Sequence, residues 1–271
     1  MTEETTQKKE DGGLWLSREG EWPLMATAIH AGHEIRAELL PLLALDEARR
    51  AQEEDPYTDY WVKIVPTWLV PRRSRFEVDL NREREEAVYL YPEMAWGLHL
   101  WKQCPDPVMI ERSLAEYDAF YESLYKILQR IAAHYKHFVV FDLHAYNYRR
   151  NGPEQPPASA EDNPEVNIGT GTMDRVKFAN VVERFMRDLR SFDYLGRHLD
   201  ARENVKFKGR YLAKWIHDKF PGHACVISIE FKKIYMNEWT GVGDVEQILA
   251  IRNALQFTIP GILKELQKLE Q

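Results

Sequence analysis

Three apolar runs of this chain each end in a side chain that could bind a metal ion or transfer a proton. The first ends at His30, with His33 close behind, the second ends near His144, and the third ends at Glu230. Imidazole nitrogens and carboxylate oxygens are common zinc ligands, and a catalytic zinc site needs about three protein ligands beside an open position for water. A hydrolase also needs a carboxylate that acts as general base. The pattern therefore indicates a zinc hydrolase site.

These side chains can act together only if the runs meet at one edge of a sheet. Residues 138–141 are four apolar residues that predict a buried central strand. Asp142 follows them and could orient His144. Residues 23–29 and 224–229 predict two more buried strands. Because open α/β sheets bind their ligands beyond the carboxyl ends of the strands, the three ends converge if the strands are parallel.

A substrate handle is predicted around residues 76–80, whose alternating apolar and acidic residues are typical of a half-exposed strand. Arg75 precedes this segment, and Asn81 and Arg82 follow it. The planar guanidinium group binds a carboxylate through two hydrogen bonds. Either arginine could therefore hold an acidic substrate, and the alternative is surface pairing with nearby glutamates.

Structural roles remain open for several of these groups. Glu230 could form an ion pair with Lys232 or Lys233. The acidic residues 53–55, with Asp59, could supply a metal ligand, but a solvated helix end is the expected role of such a cluster. The other histidines of the chain show no partner pattern and are interpreted as surface or structural groups.

Strand and helix patterns alternate along the chain, which predicts an α/β fold with a largely parallel sheet. No internal repeat or linker is evident, so we expect one domain over residues 14–271 after a disordered tail, residues 1–13. Further predicted strands are residues 61–65 and 205–209. Predicted helices cover residues 34–43, 46–54, 113–135, 174–191, 210–219 and 244–267, with a break expected at Pro260.

The composition excludes some classes of function. The 271 residues carry a net charge of −7, so a generally basic surface for nucleic acid is absent. The two cysteines give neither a disulfide framework nor a metal motif, which favours a reducing compartment. The N-terminus lacks the apolar core of a signal peptide, and no apolar run has membrane-spanning length. We therefore expect a cytoplasmic protein that binds neither membrane nor nucleic acid.

Five sequence motifs follow one another along the chain. They are His-Ala-Gly at residues 30–32, Glu-Asp-Pro-Tyr-Thr-Asp at 54–59, Ser-Arg-Phe-Glu-Val-Asp-Leu-Asn-Arg at 74–82, Phe-Asp-Leu-His at 141–144, and Glu-Phe-Lys-Lys-Ile-Tyr-Met-Asn-Glu at 230–238. Together, and in this order, they resemble the motifs of the N-formylglutamate amidohydrolase family, and the similarity extends over residues 23–238. The Asp-Leu-Asn-Arg segment is also similar to one in aspartoacylases and, more distantly, to the Asn-Arg pair of zinc carboxypeptidases.

The resemblance implies a phosphorylase/hydrolase-like three-layer α/β/α sandwich, as in zinc exopeptidases. It also implies one zinc ion per chain and hydrolysis of the amide bond of a small acidic N-acyl amino acid. By position, His30 and His144 match zinc ligands, and Glu230 matches the general base and acid. Asn81, Arg82 and Arg75 match groups that hold the substrate carboxylate, and Arg75 could also stabilise the oxyanion.

The remaining metal ligand is the point where the motifs depart from the related families, which carry a His-x-x-Glu pair. Here the third residue after His30 is His33, itself a competent zinc ligand, so we predict His33 for this role. Glu34, Asp55 and Asp59 remain alternatives. Two other functions also stay open, namely a carboxypeptidase-like hydrolase of short peptides and a non-catalytic metal-binding protein of the same fold. A homo-oligomer is compatible with each of them.

Overall fold

The structure is a computed structural model that describes residues 13–270, so the predicted tail lies outside the described residues except for Gly13. Seven strands form one sheet: β1 Trp15–Arg18, β2 Leu24–Thr27, β3 Thr67–Pro71, β4 Phe138–Tyr146, β5 Val166–Gly169, β6 Ala201–Glu203 and β7 Ala224–Lys232. Their order in the sheet is β1-β3-β2-β4-β7-β5-β6. The β1–β3 and β5–β7 pairs are antiparallel, and the other pairs are parallel. The predicted mixed, mostly parallel sheet is therefore confirmed.

The described residues form six α-helices: α1 Glu47–Glu53, α2 Thr58–Trp61, α3 Pro107–His134, α4 Ala179–Ser191, α5 Tyr211–Lys219 and α6 Val245–Leu269. Four 3-10 turns accompany them at Leu40–Leu42, Val62–Ile64, Arg84–Glu86 and Pro92–Ala95. The apolar sides of α3 and α5 pack on one face, and those of α2, α4 and α6 pack on the other. This arrangement is the predicted three-layer α/β/α sandwich. No helix of the described chain has the length and apolar character needed to cross a bilayer.

The central strand β4 is buried along its whole length because helices cover both of its faces. Phe141 and Leu143 pack toward α4 and α6, whereas Phe138 and Val140 pack toward α3 and α5. β4 and β7 pair in parallel over nine residues, with His144 opposite Glu230. Both strands continue two residues beyond this pair, to Tyr146 and Lys232. The predicted convergence of strand ends is thus produced by adjacent strands in register.

Three of the predicted strands are wrong, at residues 61–65, 76–80 and 205–209. Residues 61–65 form the end of α2 and a 3-10 turn, because the apolar run packs against α6 and Trp61 Nε1 donates to the Ile248 carbonyl at 3.0 Å. Residues 76–80 are a buried loop. The acidic residues of this loop point inward, since the Glu77 carboxylate accepts a hydrogen bond from the Arg36 backbone N–H at 2.7 Å. Charge alternation there reflects buried pairing, not exposure to solvent.

Helix boundaries also differ from the prediction. The long helix α3 begins at Pro107 because Asp106 caps it by accepting from the Met109 N–H at 2.8 Å, so Ser113 lies within the helix. The α6 helix continues through Pro260 without a break. Residues 34–43 form no α-helix, and their only helical structure is the 3-10 turn at Leu40–Leu42. The sixth strand lies at Ala201–Glu203 instead of 205–209.

Candidate metal centre and active site

Three buried side chains bring ligand atoms to one point near the carboxyl end of the central strands. One ligand atom each of His30, Asp55 and His144 lies within 4.8 Å of the other two. Asp55 Oδ2 is 3.5 Å from His30 Nδ1 and 3.2 Å from His144 Nδ1. The centroids of the two imidazole rings are 4.9 Å apart. Two imidazole nitrogens and one carboxylate oxygen form a common zinc ligand set.

Sheet pairing and backbone hydrogen bonds position these ligands. β2 and β4 are parallel neighbours, so His30, three residues beyond the end of β2, lies beside His144 on β4. Asp55 lies in the turn between α1 and α2. Its N–H donates to the His30 carbonyl at 2.9 Å, and its own carbonyl accepts from Thr58 Oγ1 at 2.6 Å. The turn is therefore fastened directly to the chain that carries His30.

Each histidine presents its second nitrogen to a further carboxylate. His30 Nε2 lies 2.7 Å from Asp79 Oδ1. His144 Nε2 lies 2.9 Å from Asp142 Oδ1, although these two atoms are not aligned as a hydrogen bond. Nδ1 of both rings is thereby directed toward Asp55. The two Nδ1 atoms and the anionic Asp55 oxygen therefore point toward one small region, where extra protons or a metal ion must balance their electron-rich lone pairs. Pairs of a carboxylate with the second nitrogen of a histidine are typical of histidines that bind metal ions. The residues present fit a divalent metal ion such as zinc.

The charges around this group favour ionised carboxylates. Burial acts to raise the pKa of Asp55, but hydrogen bonds from His144 and His30 outweigh it and hold the pKa well below its usual range. Burial likewise opposes the charge on Asp79, whose pKa the nearby Arg75 and His30 nevertheless hold low. Burial acts to lower the pKa of His144, yet Asp142 and Glu230 raise it well above its ordinary value. A metal ion would displace the extra proton that His144 then carries.

Most of the predicted site residues line an open cavity of about 550 Å³, a volume that includes the solvent at its entrance. The metal-ligand group forms part of its wall. Glu230, Arg75 and Asn81 line it as well. The structure therefore brings together residues that lie 155 positions apart in the sequence, from Arg75 to Glu230, as the strand-end argument requires.

The Glu230 carboxylate lines this cavity without a hydrogen bond or ion pair to any residue between 13 and 270. Lys232 and Lys233, its alternative partners, donate to backbone carbonyls instead. Burial raises the pKa of Glu230 to about 7, because the favourable charge of His144 is offset by the negative charges of Asp55 and Asp142. A carboxyl group with such a pKa can both accept and return a proton near neutral pH.

Arg75 and Asn81 are held to the same network through Asp79. Arg75 Nη2 donates to Asp79 Oδ2 at 2.9 Å, and its guanidinium lies 4.7 Å from the centroid of the Trp96 ring. The Asn81 backbone N–H donates to Asp79 Oδ1 at 2.8 Å. The side-chain Oδ1 of Asn81 accepts the Leu212 N–H at 3.1 Å. Both cavity-lining side chains are thus fixed relative to His30.

His33, predicted as a metal ligand, lies outside the ligand group. Its Nδ1 bonds to Glu54 Oε2, and its side chain is 38% exposed. The preceding residue, Gly32, packs so closely on residues 72–73 that a Cβ would lie 2.3 Å from the Arg73 carbonyl oxygen. His33 is held by its bond to Glu54 and does not line the cavity. The φ of Gly32 is not positive, so the close backbone contact, and not the backbone conformation, is what requires a glycine at this position.

Arg82 is also directed away from the cavity. Its Nη2 donates to the Met94 carbonyl at 3.0 Å, and its Nη1 lies 3.6 Å from Glu86. Two alternative ligands lie elsewhere as well. Glu34 faces two arginines at the surface, and Asp59 lies in α2 outside the ligand group.

The third member of the ligand group is Asp55, which the sequence offered only as an alternative. Residues 53–55 are buried, so the expected solvated helix end is wrong. The one sequence feature that pointed to Asp55 was its position inside the motif at residues 54–59. Arg210, which also lines the cavity, carried no signal in the sequence because it belongs to no motif.

The model of one protein family, described as N-formylglutamate amidohydrolase, matches residues 22–236. The chain belongs to this family. Its members are named for hydrolysis of an amide bond, and the buried ligand group is compatible with a metal ion in this member. No curated protein matches the sequence.

Solved structures of low sequence identity share the fold of this family member. The N-formylglutamate amidohydrolase from Ralstonia eutropha is 15% identical, with a TM-score of 0.73 over 94% of this chain and 98% of that one. A gene product from Agrobacterium tumefaciens is 17% identical, with a TM-score of 0.64 over 92% of each chain. At such identity the likeness shows the fold alone.

Proposed function

We propose that this family member is a zinc-dependent amidohydrolase that cleaves the amide bond of a small acidic N-acyl amino acid similar to N-formylglutamate. One observation supports the proposal above the others. The buried group of His30, Asp55 and His144 borders the same cavity as Glu230, a carboxyl group with no partner among residues 13–270. A structural ion-pair network would pair that carboxylate, whereas a general base has to stay free for water and substrate.

His30, Asp55 and His144 would hold one zinc ion per chain, which when bound lowers the pKa of a water molecule to about 7. Glu230 then accepts a proton from the water that attacks the amide carbon. The C–N bond breaks, and Glu230 returns the proton to the leaving amine nitrogen. The products are the carboxylic acid of the acyl group and the free amino acid, so one water is consumed and no further reactant is needed.

Arg75 is placed to stabilise the oxygen on which negative charge develops. Its guanidinium lines the cavity, is held by Asp79 at 2.9 Å, and has a buried Nε without a partner in the described chain. Preorganised donors of this kind act strongly in a site that excludes water. Asn81 lines the same wall and is positioned for a substrate carboxylate or amide. Arg82 does not line the cavity, so we do not assign it the same role.

The test combines zinc content with hydrolysis of N-formyl-L-glutamate in the wild type, His144→Ala and Glu230→Gln. We expect about one zinc per chain in the wild type and in Glu230→Gln, and loss of zinc in His144→Ala. Turnover should fall by about 10²–10⁴-fold in Glu230→Gln, because a general base is lost while the metal is kept.

Full turnover in Glu230→Gln would refute the assigned base. A wild-type protein without metal would refute the zinc site. Release of amino acids from unacylated dipeptides, without hydrolysis of N-formyl-L-glutamate, would support a carboxypeptidase-like hydrolase instead.

A further inference from the structure

Four arginine or lysine side chains line the cavity, and three of them already have partners. Arg75 pairs with an aspartate at 2.9 Å. Arg150 forms two hydrogen bonds with the Glu53 carboxylate, at 3.0 and 2.9 Å. Lys233 donates to two backbone carbonyl oxygens, each at 2.7 Å. The fourth is Arg210, and it differs from the others.

The Arg210 side chain is exposed at the cavity and makes no hydrogen bond or ion pair with the described residues. The acidic residues of the cavity wall do not supply one. Glu53 is paired with Arg150, Asp55 belongs to the metal-ligand group, and Glu230 forms no ion pair within residues 13–270. Within residues 13–270, Arg210 is therefore the lining cation without a protein partner, and its whole planar donor fork is free to bind a ligand.

Hydrogen bonds connect the chain around Arg210 to the metal-ligand group. The Leu212 N–H, two residues later, donates to Asn81 Oδ1 at 3.1 Å. The Asn81 N–H donates to Asp79 Oδ1 at 2.8 Å, and the same oxygen lies 2.7 Å from His30 Nε2. These bonds set the distance between the start of α5 and the proposed reaction centre, so Arg210 is not attached to a freely moving loop.

The backbone immediately before Arg210 is fixed by close packing. Gly209 has φ of +89°, a conformation that favours glycine. A Cβ on Gly169 in β5 would lie 2.5 Å from the Gly209 nitrogen, so these two segments touch through their backbones. The turn at Gly209 therefore sets the direction in which the chain enters α5 and presents Arg210 at the cavity.

We propose that Arg210 is the specificity-determining residue that binds the side-chain carboxylate of the acidic substrate. This assignment rests on the proposed amidohydrolase function. Arg75 and Asn81 are the inner groups of the wall, whereas Arg210 is exposed at its rim. With the reacting amide at the metal-ligand group and Glu230, the side-chain carboxylate of glutamate extends away from the reaction centre toward such a rim group. Arg210 then distinguishes an acidic side chain from its neutral amide.

The experiment measures kcat and KM of the zinc-loaded protein for N-formyl-L-glutamate and for N-formyl-L-glutamine, whose side-chain carboxylate is replaced by an amide. Arg210→Ala should raise KM for the glutamate substrate by about 10–100-fold, the loss expected for a charged hydrogen-bonded pair. The kcat should change little, because this interaction is equal in the ground and transition states. KM for the glutamine substrate should stay within about twofold, and Arg210→Lys should recover part of the loss.

Lys214→Ala is the matched control, since Lys214 is an exposed cation on the same helix that pairs with Asp218 at 2.6 Å. It should leave both KM values unchanged. Arg82→Ala tests the competing handle. A rise in KM for the glutamate substrate in Arg82→Ala, with none in Arg210→Ala, would overturn the proposal, and so would equal losses on both substrates in Arg210→Ala.

A binding measurement separates this proposal from the proposed function. Calorimetric titration with L-glutamate and L-glutamine needs no turnover. If the wild type hydrolyses no N-acyl amino acid, the amidohydrolase function fails, but a Kd for L-glutamate that rises about 10–100-fold in Arg210→Ala would still support carboxylate binding at Arg210. Equal Kd values in the two proteins would refute it.

Discussion

His217 provides a prediction about stability that does not depend on the proposed chemistry. This α5 residue lies against β7, where its Nε2 accepts the Val226 N–H at 3.0 Å. Its Nδ1 lies 3.0 Å from Thr172 Oγ1 and carries the proton of the neutral ring. A second ring proton would have to replace the Val226 bond. Burial lowers the pKa of His217 from 6.5 to about 4, against a weaker opposing effect of Asp218.

The sign of the pH effect follows from the proton numbers. Between the folded pKa of about 4 and the unfolded value of 6.5, the unfolded chain binds a proton at His217 that the folded chain does not, so stability rises with pH in this window. At about 1.4 kcal/mol per pKa unit the full effect is about 3 kcal/mol. Between about pH 7.5 and pH 4.5 it is near 2 kcal/mol, after allowance for the partial exposure of the ring.

The assay is urea unfolding of the wild type and of His217→Gln at these two pH values, with a chelator present so that metal release does not contribute. Glutamine is the matched replacement because its Oε1 can accept the Val226 N–H without titrating. The wild type should lose about 2 kcal/mol more than the variant on acidification, since all other titrating groups are common to both proteins. Equal losses would refute the buried, neutral histidine.

Three further predictions concern the metal-ligand group and its support. Asp55→Ala should lose bound zinc while His33→Ala keeps it, as measured by atomic emission of the purified proteins; the opposite result would restore His33 as the ligand. Asp79→Asn should weaken zinc binding by about 10–100-fold in a chelator competition, because His30 loses the carboxylate that orients it, and an unchanged affinity would contradict that role. Gly32→Ala should lower the free energy of unfolding by about 1–3 kcal/mol in urea, since a Cβ would meet backbone atoms; a wild-type midpoint would show that the contact can relax.

The sequence alone predicted the layers of the fold and three residues that line the candidate site. Apolar runs that are buried on both faces need helices on both sides, so the strands at β2, β4 and β7 were recognisable from composition. The polar residues at their ends, His30, His144 and Glu230, then had to meet if the strands were parallel. Short apolar or alternating runs were less informative. Residues 61–65 form helical turns because they pack against α6. Residues 76–80 form a buried loop because its Glu77 pairs with Arg36.

Tertiary structure decided the third member of the candidate ligand group. Asp55 follows a short charged helix, and apart from the motif at residues 54–59 nothing local distinguishes it from a solvated acidic group. It becomes buried because its backbone N–H bonds to the His30 carbonyl and because Lys233, 178 residues later in the sequence, donates to the carbonyl of Glu54. Such contacts join segments that are remote in sequence, so no local spacing encodes them.

The same distinction applies to the two arginines. Arg82 belongs to a motif, and yet the loop that carries it directs its guanidinium to Met94 and Glu86. Arg210 belongs to no motif, but the turn at Gly209 and the bond from Leu212 to Asn81 present it at the cavity. The sequence by itself determined which strands border the candidate site, because burial follows composition. Only the packed structure decided which loop side chains face the cavity, because their directions depend on contacts between distant segments.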